Sequence, residues 1–279
     1  MVMRKTLIAL DLDGTLLKDD KTISTRTYKT LQEAKKAGHM IAIATGRPYR
    51  ASKMYYQQLG LDTPIVNFNG AYVHHPGDSS FHTHHSPLEL ETARTIIDTC
   101  QAFQVHNIMA EVVDDVFLHD YDETFIDMFS LSTEPAASGN LKKTLRTGPT
   151  SLLVYPQLEN AEKLRELISG KHAQGIEQRS WGAPHHMIEI IKTGNNKAAG
   201  LEKVASYCDV SMEDVIAFGD EDNDLDMLAR TGTGVAMGNA APEAKQAAKE
   251  VTFSNEEDGI AVFLEERLHL PNMAMYQKN

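Results

Sequence analysis

Residues Leu7 to Leu16 read LIALDLDGTL, and no other stretch constrains the chain as strongly. Leu7, Ile8, Ala9 and Leu10 form an unbroken apolar run, which ends in two carboxylates, Asp11 and Asp13, followed by Gly14 and Thr15. A short apolar run bounded by a turn describes a strand buried on both faces, as in a parallel sheet. In open α/β sheets, ligands gather beyond the carboxyl ends of the strands. Two acids delivered to that edge repel unless they share a cation or a proton, so the stretch predicts a metal. Taken alone, Asp-Gly is also a common turn dipeptide, and DLDGT reads equally as a tight turn after a strand. The decision falls to the rest of the chain.

Downstream, Ser24 to Gly38 predicts a helix, and Met40 to Ala44 a second strand closed by Thr45, Gly46 and Arg47. Pro48 suits the first turn of a helix reaching Leu59, and Pro64 to Phe68 predicts a third strand closed by Asn69 and Gly70. Three strand–helix units in succession imply parallel strands with right-handed crossovers. From about residue 84 the pattern changes. Ser86-Pro87-Leu88-Glu89 reads as a capping box opening a helix with Leu90, Ala93, Ile97, Cys100 and Phe103 on one face. Strands are expected at Asn107 to Val112, Val116 to His119, Ser151 to Tyr155, Ile176 to Ser180 and Met187 to Ile191. Helices are expected at Glu123 to Phe129 and Glu159 to Ile168, with an irregular loop from Thr133 to Pro149. Paired strands alternating with helices point to an α+β module with an antiparallel sheet. The chain then returns to α/β: a helix at Lys197 to Tyr207, a strand at Val215 to Phe218, a helix at Asp222 to Leu228, a strand at Gly234 to Met237, and helices at Pro242 to Lys249 and Glu256 to Arg267. The tail from Leu270 carries no pattern. The expected fold class is α/β, a Rossmann-like parallel sheet core formed by residues 1–83 and 191–279, with an α+β domain inserted at 84–190.

Composition narrows the function. A net charge of -12 argues against a nucleic-acid surface, which needs a basic face. It does not argue against a small anion, because exposed charges beyond about 10 Å are screened. No apolar run approaches the roughly 20 residues of a membrane span and no signal-peptide core opens the chain, so a cytoplasmic protein is expected. Cys100 and Cys208 are too few for a disulfide framework and sit in apolar helical patterns, as reduced core cysteines do.

Four elements carry chemistry, in order: Asp11-Leu12-Asp13-Gly14-Thr15, Thr45 at a strand end, Lys197, and Gly219-Asp220-Glu221-Asp222-Asn223-Asp224 at the end of a late strand. With DLDGTL, ATGR, FNGA and GDEDND in this sequence, the whole chain resembles the haloacid dehalogenase superfamily of phosphotransferases. More narrowly it resembles the Cof-type phosphatases with a large C2-type cap. The resemblance implies Mg²⁺-dependent hydrolysis of a small phosphomonoester, a sugar phosphate or a nucleotide-like cofactor, through an aspartyl-phosphate on Asp11. A carboxylate nucleophile splits one hard displacement into two easier ones. Asp13 would protonate the leaving alkoxide and then activate water, and its carbonyl, by the same resemblance, faces the metal.

Mg²⁺ takes hard oxygens and usually only one or two carboxylates, which fits Asp11 and Asp220 carried to one edge by separate strands. Asn223 and Asp224 would complete or orient the shell. Thr45 offers a hydroxyl and Gly46 an N–H to a phosphate oxygen; Arg47 and Asn69 end strands on the same edge and are candidates for phosphate or substrate contact. Lys197 opens its helix, where the dipole disfavours a cation by about 0.3–1 kcal/mol, so it is best explained by facing an anion. The plain alternatives are a solvated lysine and a surface Arg47. The resembling chains often place a glycine shortly before and after this lysine, and Gly194 with Asn195-Asn196-Lys197 departs slightly from that.

About 150 residues separate Thr45 from Lys197, far more than a connection needs, and a domain placed there is expected to choose the substrate. Histidines at His74, His75, His82, His84, His85, His185 and His186 fit no closed zinc ligand set and read as solvated hinge residues. The rival readings are a phosphotransferase or mutase sharing the intermediate, a Mg²⁺/phosphate-binding protein with vestigial turnover, and a receiver-like domain, which would leave Asp13 without a purpose. A P-type pump is excluded by the missing spans. The expected partner is a small phosphorylated metabolite, with the chain a monomer or weak dimer.

Overall fold

The computed structural model describes residues 5–129, 134–172, 175–180 and 186–276. Its residues group into two compact units, one of Met1–His84 and Asn196–Asn279, the other of His85–Asn195.

In the first unit, β1 (Leu7–Leu10), α1 (Thr25–Lys36), β2 (Met40–Ile43) and α2 (Tyr49–Gln58) follow in order. All four residues of β1 are fully buried, as its unbroken apolar run requires. Ser24 caps α1 by accepting from the Thr27 N–H at 3.0 Å, and Gly38 follows the helix at φ +92°. The third expected strand takes a different course. β3 (Ile65–Asn67) is tied to the region after β2 by a single parallel bridge, Ala44 to Val66, and instead pairs antiparallel with β4 (Tyr72–His74), to which β5 (His84–His85) adds. Phe68 and Asn69, at φ +49° and +52°, turn the chain back between β3 and β4.

The second unit begins as an extended segment. The Leu88 N–H donates to the Pro149 carbonyl at 2.8 Å and its side chain is buried, which holds Ser86–Glu89 out of a helix. The expected capping box therefore does not form, and α3 (Leu90–Ala102) starts from Glu89 with no side-chain cap. Next come β6 (Asn107–Val112), β7 (Asp115–Leu118), α4 (Glu123–Met128), β8 (Ala137–Ser138), α5 (Leu141–Thr144), β9 (Ser151–Tyr155), α6 (Ala161–His172), β10 (Ile176–Ser180) and β11 (Ile188–Lys192). The stretch expected to be a plain loop contains β8 and α5 among its described residues; Thr133 lies outside them. The sheet order is β10-β11-β9-β6-β7-β8, antiparallel except for β7 with β8. Ile108, Ala110, Leu152, Val154, Ile188 and Ile190 face α3 and α6 through Ala93, Ile97, Cys100, Leu164 and Ile168.

The chain re-enters the first unit with α7 (Lys197–Tyr207), β12 (Val215–Gly219), α8 (Leu225–Arg230), β13 (Thr233–Ala236), α9 (Pro242–Ala247), β14 (Glu250–Val251) and α10 (Gly259–Arg267). Asp222–Asp224 is a separate 3₁₀ turn before α8. The expected final helix is broken at Asp258, whose φ of +60° ends a 3₁₀ turn at Asn255–Glu257 before α10 begins. In the tail, Met273–Tyr276 forms another 3₁₀ turn, and 277–279 lie outside the described residues.

The main sheet is parallel with order β14-β13-β12-β1-β2. Its pleat sorts side chains by alternation. Ile8, Leu10, Ile41, Ile43, Ile216 and Phe218 pack with Leu31, Tyr55, Ile260 and Leu264 from α1, α2 and α10. Leu7, Ala9, Ala42, Val215 and Ala217 pack with Ala198, Leu201, Val204 and Met227 from α7 and α8. Leu10 is in register with both Ile43 and Phe218, so the residues that follow all three strands leave the sheet side by side. That alignment brings Asp11, Thr45 and Asp220 to one edge.

Of the cysteines, Cys100 is buried in α3, but Cys208, which caps the end of α7, is only half-buried; both are free thiols. Among the described residues, no helix is long and apolar enough to cross a membrane.

Candidate active site

The edge after β1, β2 and β12 is held by one buried cation. Lys197, fully buried at the first position of α7, donates to Asp11 Oδ1 at 2.6 Å and to Asp224 Oδ1 at 2.7 Å. Asn196 caps the helix by accepting from the Ala199 N–H at 2.8 Å, which fixes where the lysine leaves the backbone. The solvated alternative is therefore excluded.

Asp224 is saturated. Its second oxygen accepts from the N–H groups of Asp220 and Glu221 at 2.9 and 3.1 Å. The turn after β12 is thus folded around the Asp224 side chain, and Gly219 is required there because a Cβ would lie 2.5 Å from that side chain. Asp220 in turn accepts from the Thr15 hydroxyl at 2.6 Å through Oδ1. Gly14 lies so close that a Cβ would come within 2.1 Å of Asp220 Oδ2, and its φ of +73° suits glycine as well.

Asp11, Asp220 and Asp224 each offer a carboxylate oxygen within 4.8 Å of the others'. Three buried carboxylates against one ammonium leave an excess of two negative charges. Burial pushes Asp220 up to about 7, the charges of Asp224 and Glu221 adding to it while Thr15 and Lys197 oppose. Burial likewise raises Asp11 well above the ordinary carboxylate range, with Lys197 pulling down and Asp224 and Asp220 pushing up. An excess of negative charge that burial penalises this strongly fits a divalent cation. The oxygens not engaged by protein donors among the described residues are Asp11 Oδ2 and Asp220 Oδ2. Asp224 holds Lys197 through one oxygen and two backbone N–H groups through the other, an arrangement suited to orienting its neighbours. Asn223 donates from Nδ2 to Asn69 Oδ1 at 3.0 Å, which leaves its own Oδ1 as the oxygen it can turn to an ion.

Asp13 points elsewhere. Arg47 grips it with both arms of its fork, Nε to Oδ2 and a terminal nitrogen to Oδ1, each at 2.6 Å, and Lys21 Nζ adds a third bond to Oδ1 at 2.8 Å. Burial works to raise this carboxyl, but the bonds and charges of Arg47 and Lys21 outweigh it and bring Asp13 down to about 2. Arg47, expected either at the phosphate or on the surface, is committed to Asp13, with a further bond to the Ala51 carbonyl at 3.2 Å and the Tyr55 ring 5.6 Å away.

Thr45 is buried, and its hydroxyl oxygen accepts from the Arg47 N–H at 3.1 Å, which leaves the hydroxyl proton to be given away. Asn69 is buried in the left-handed conformation, donates its N–H to the Thr45 carbonyl at 3.1 Å, and lays its amide against Gly46.

Sequence reasoning missed three participants. Thr15 stood within the quoted motif with no role given. Lys21 lies in a polar turn with no periodicity to mark it. Asn239 donates to the Gly14 carbonyl at 2.8 Å while accepting from the Asn255 N–H at 3.0 Å, and its only signal is the Gly-Asn-Ala turn after β13. Among the described residues the cluster of ligating side chains is the acidic trio, with no histidine in it. Nor are the histidines all solvated. His75 is buried and accepts from the Gly77 and Asp78 N–H groups at Nδ1, and His74 stacks on Tyr72; His185 lies outside the described residues.

Residues 8–264 match the model of the haloacid dehalogenase-like hydrolase family. The chain is 52% identical over 270 residues to the 5-amino-6-(5-phospho-D-ribitylamino)uracil phosphatase YitU of Bacillus subtilis, with 97% of this chain and 100% of that one covered. It is 32% identical over 286 residues to the pyridoxal phosphate phosphatase YbhA of Escherichia coli, covering 94% and 98%. Its fold superposes on a haloacid dehalogenase-like hydrolase from Bacteroides thetaiotaomicron with a TM-score of 0.82 at 24% identity, over 95% and 100% of the two chains.

Two outcomes are expected from this geometry. Lys197→Met strands two buried carboxylates and should cost about 3–5 kcal/mol in denaturant unfolding of the metal-free protein. In the second, protons and a cation compete for the same acids. A carboxyl raised in the fold contributes stability that is lost as pH climbs from its unfolded value near 4 through its folded one near 7. The increase in Tm given by an added divalent cation should therefore grow from pH 5 to pH 8; an increase independent of pH would contradict the shared site.

Proposed function

From the chain's membership of the haloacid dehalogenase-like hydrolases, and within them of the Cof-type phosphatases, we propose a mechanism in which Asp11 is the nucleophile and Asp13 the acid–base. The observation that carries this reading is the division of labour between the two carboxylates: Asp11 is buried against Lys197 with one oxygen open, and Asp13 is held apart from it by Arg47 and Lys21. A carboxylate oxygen of Asp11 attacks phosphorus, the bond to the ester oxygen breaks, and the electron pair leaves with that oxygen, which takes a proton from Asp13. Asp13 then removes a proton from water as the water attacks the aspartyl-phosphate, releasing inorganic phosphate and restoring Asp11.

Lys197 steadies Asp11 throughout, and the free proton of Thr45 together with the Gly46 N–H binds the phosphoryl oxygens. Mg²⁺ is the cation we assign to Asp11 and Asp220, aided by the Asp13 carbonyl and Asn223; when bound it supplies positive charge against the phosphoryl group. Arg47 has a second task. A phosphoryl dianion competes with Asp13 for its guanidinium, and as Arg47 lets go, Asp13 becomes basic enough to carry the proton the leaving oxygen needs.

For the substrate we adopt 5-amino-6-(5-phospho-D-ribitylamino)uracil, the compound named for the 52% identical relative, ahead of pyridoxal phosphate, named for the 32% identical one. We assign the choice of leaving group in part to the unit His85–Asn195. Each side chain used in the chemistry belongs to one copy of the chain, so a monomer suffices. The two free thiols suit a reducing cytoplasm.

Purified protein with Mg²⁺ should release inorganic phosphate from the ribitylaminouracil ester in preference to pyridoxal phosphate, and Asp11→Asn should abolish release. Asp13→Ala should fold normally and lose about 10²–10⁴-fold in kcat on alkyl esters. Turnover by Asp11→Asn, or turnover in excess chelator, would rule the mechanism out. Arg47→Ala should raise KM and shift the alkaline limb of the kcat/KM profile upward, because Asp13, which must carry a proton for the leaving oxygen, loses the fork that holds it near 2.

A further inference from the structure

Lys21 occupies a position that its contribution to stability does not explain. Its φ of +63° is a conformation that costs any residue with a Cβ, and the turn around it is nevertheless closely fixed. Leu17 bridges Ile23, the Lys18 N–H donates to the Thr22 carbonyl at 2.9 Å, and the Lys21 N–H donates to the Lys18 carbonyl at 2.9 Å. Tyr55 reaches from α2 to hold the Lys21 carbonyl at 2.9 Å. Glu256 anchors the far side through Lys18 and the Asp19 N–H, and Asn255 donates to the Leu17 carbonyl at 2.9 Å. This scaffolding delivers an ammonium whose side chain is 56% exposed to a carboxylate already gripped on both oxygens by Arg47. An exposed pair of that kind adds little to folding.

Arg47 alone balances the charge of Asp13, so Lys21 is a surplus cation at this spot. An ammonium has three protons to donate, and Asp13 accepts one of them. The remaining donors face solvent beside the carboxyl that must touch the leaving oxygen. Because water screens an exposed charge, what Lys21 adds is directional hydrogen bonding rather than a long-range field.

We propose that Lys21 is a specificity-determining residue that donates to hydroxyl oxygens of the leaving group close to the ester carbon, selecting polyol and sugar phosphates over plain alkyl phosphates. The inference rests on the reading above, in which Asp13 protonates the ester oxygen. It adds a substrate contact from the loop after β1 to the selection assigned to the other unit.

The test compares D-ribitol 5-phosphate with n-butyl phosphate, two primary alkyl esters that both need their leaving oxygen protonated and differ in their hydroxyls. In Lys21→Met the preference, the ratio of the two kcat/KM values, should fall about tenfold to hundredfold, carried mainly by KM for the ribitol ester. Lys21→Arg, which keeps charge and donors, should restore most of it. Equal losses on both esters would show that Lys21 acts only through Asp13 and would overturn the assignment, as would an unchanged ratio. Wild-type enzyme that releases phosphate from neither ester would also overturn the assignment, whereas undiminished turnover in Asp13→Ala would overturn the underlying reading of Asp13.

Discussion

The bonds from Lys197 to Asp11 and Asp224 set the conditions for everything else at this sheet edge. A fully buried ammonium is costly unless its charge is met at short range, and here two carboxylates meet it. Those carboxylates come from separate strand ends and the lysine from the first turn of a helix, so forming the triad commits β1, β12 and α7 to one relative placement. Asp224 then uses its second oxygen on the backbone N–H groups of Asp220 and Glu221, which carries the same constraint to the carboxylate with a free oxygen. The ammonium falls short of neutralising the group it organises. That deficit, rather than any single residue, is what fits the site to a divalent cation.

Much of this was legible in the sequence because it depends on local pattern. An apolar run that ends in acids must place those acids at the end of a buried strand, and Leu7–Leu10 does so with every residue buried. Lys197 was legible because a cation at a helix start contradicts the dipole and asks for an anion. The parallel register then did what a strand pattern cannot state by itself, aligning Leu10 with Ile43 and Phe218.

What could not be read depends on contacts between distant segments. Ser86-Pro87-Leu88-Glu89 has the composition of a capping box, yet one backbone bond from Leu88 to Pro149 and the burial of Leu88 outweigh the local preference. The break at Asp258 needs a positive φ that aspartate tolerates without announcing it. β14 is two residues long, too short to show any period. The antiparallel turn back of β4 onto β3 hangs on two consecutive left-handed residues, Phe68 and Asn69, of which only the asparagine is a familiar visitor to that region.

The same limit explains why Arg47 and Asp13 were not paired from the sequence. Each was singled out, one as a phosphate ligand and the other as the acid–base, but both tasks cannot be met by the arrangement found. An acid–base held near 2 is poorly placed to donate a proton at neutral pH, and an arginine bound through both arms has little left for a phosphate. The conflict resolves if the two tasks follow one another. Arg47 and Asp13 hold one another through two hydrogen bonds, and each neutralises the other. A phosphoryl dianion offers Arg47 a partner of higher charge, and on the proposed mechanism Asp13, released by the guanidinium, takes up a proton from solvent that it then gives to the ester oxygen. Binding and proton supply are then a single exchange of partners. On the proposed mechanism Arg47 couples the two carboxylates, whose separate environments suit one to attack and the other to give and take a proton.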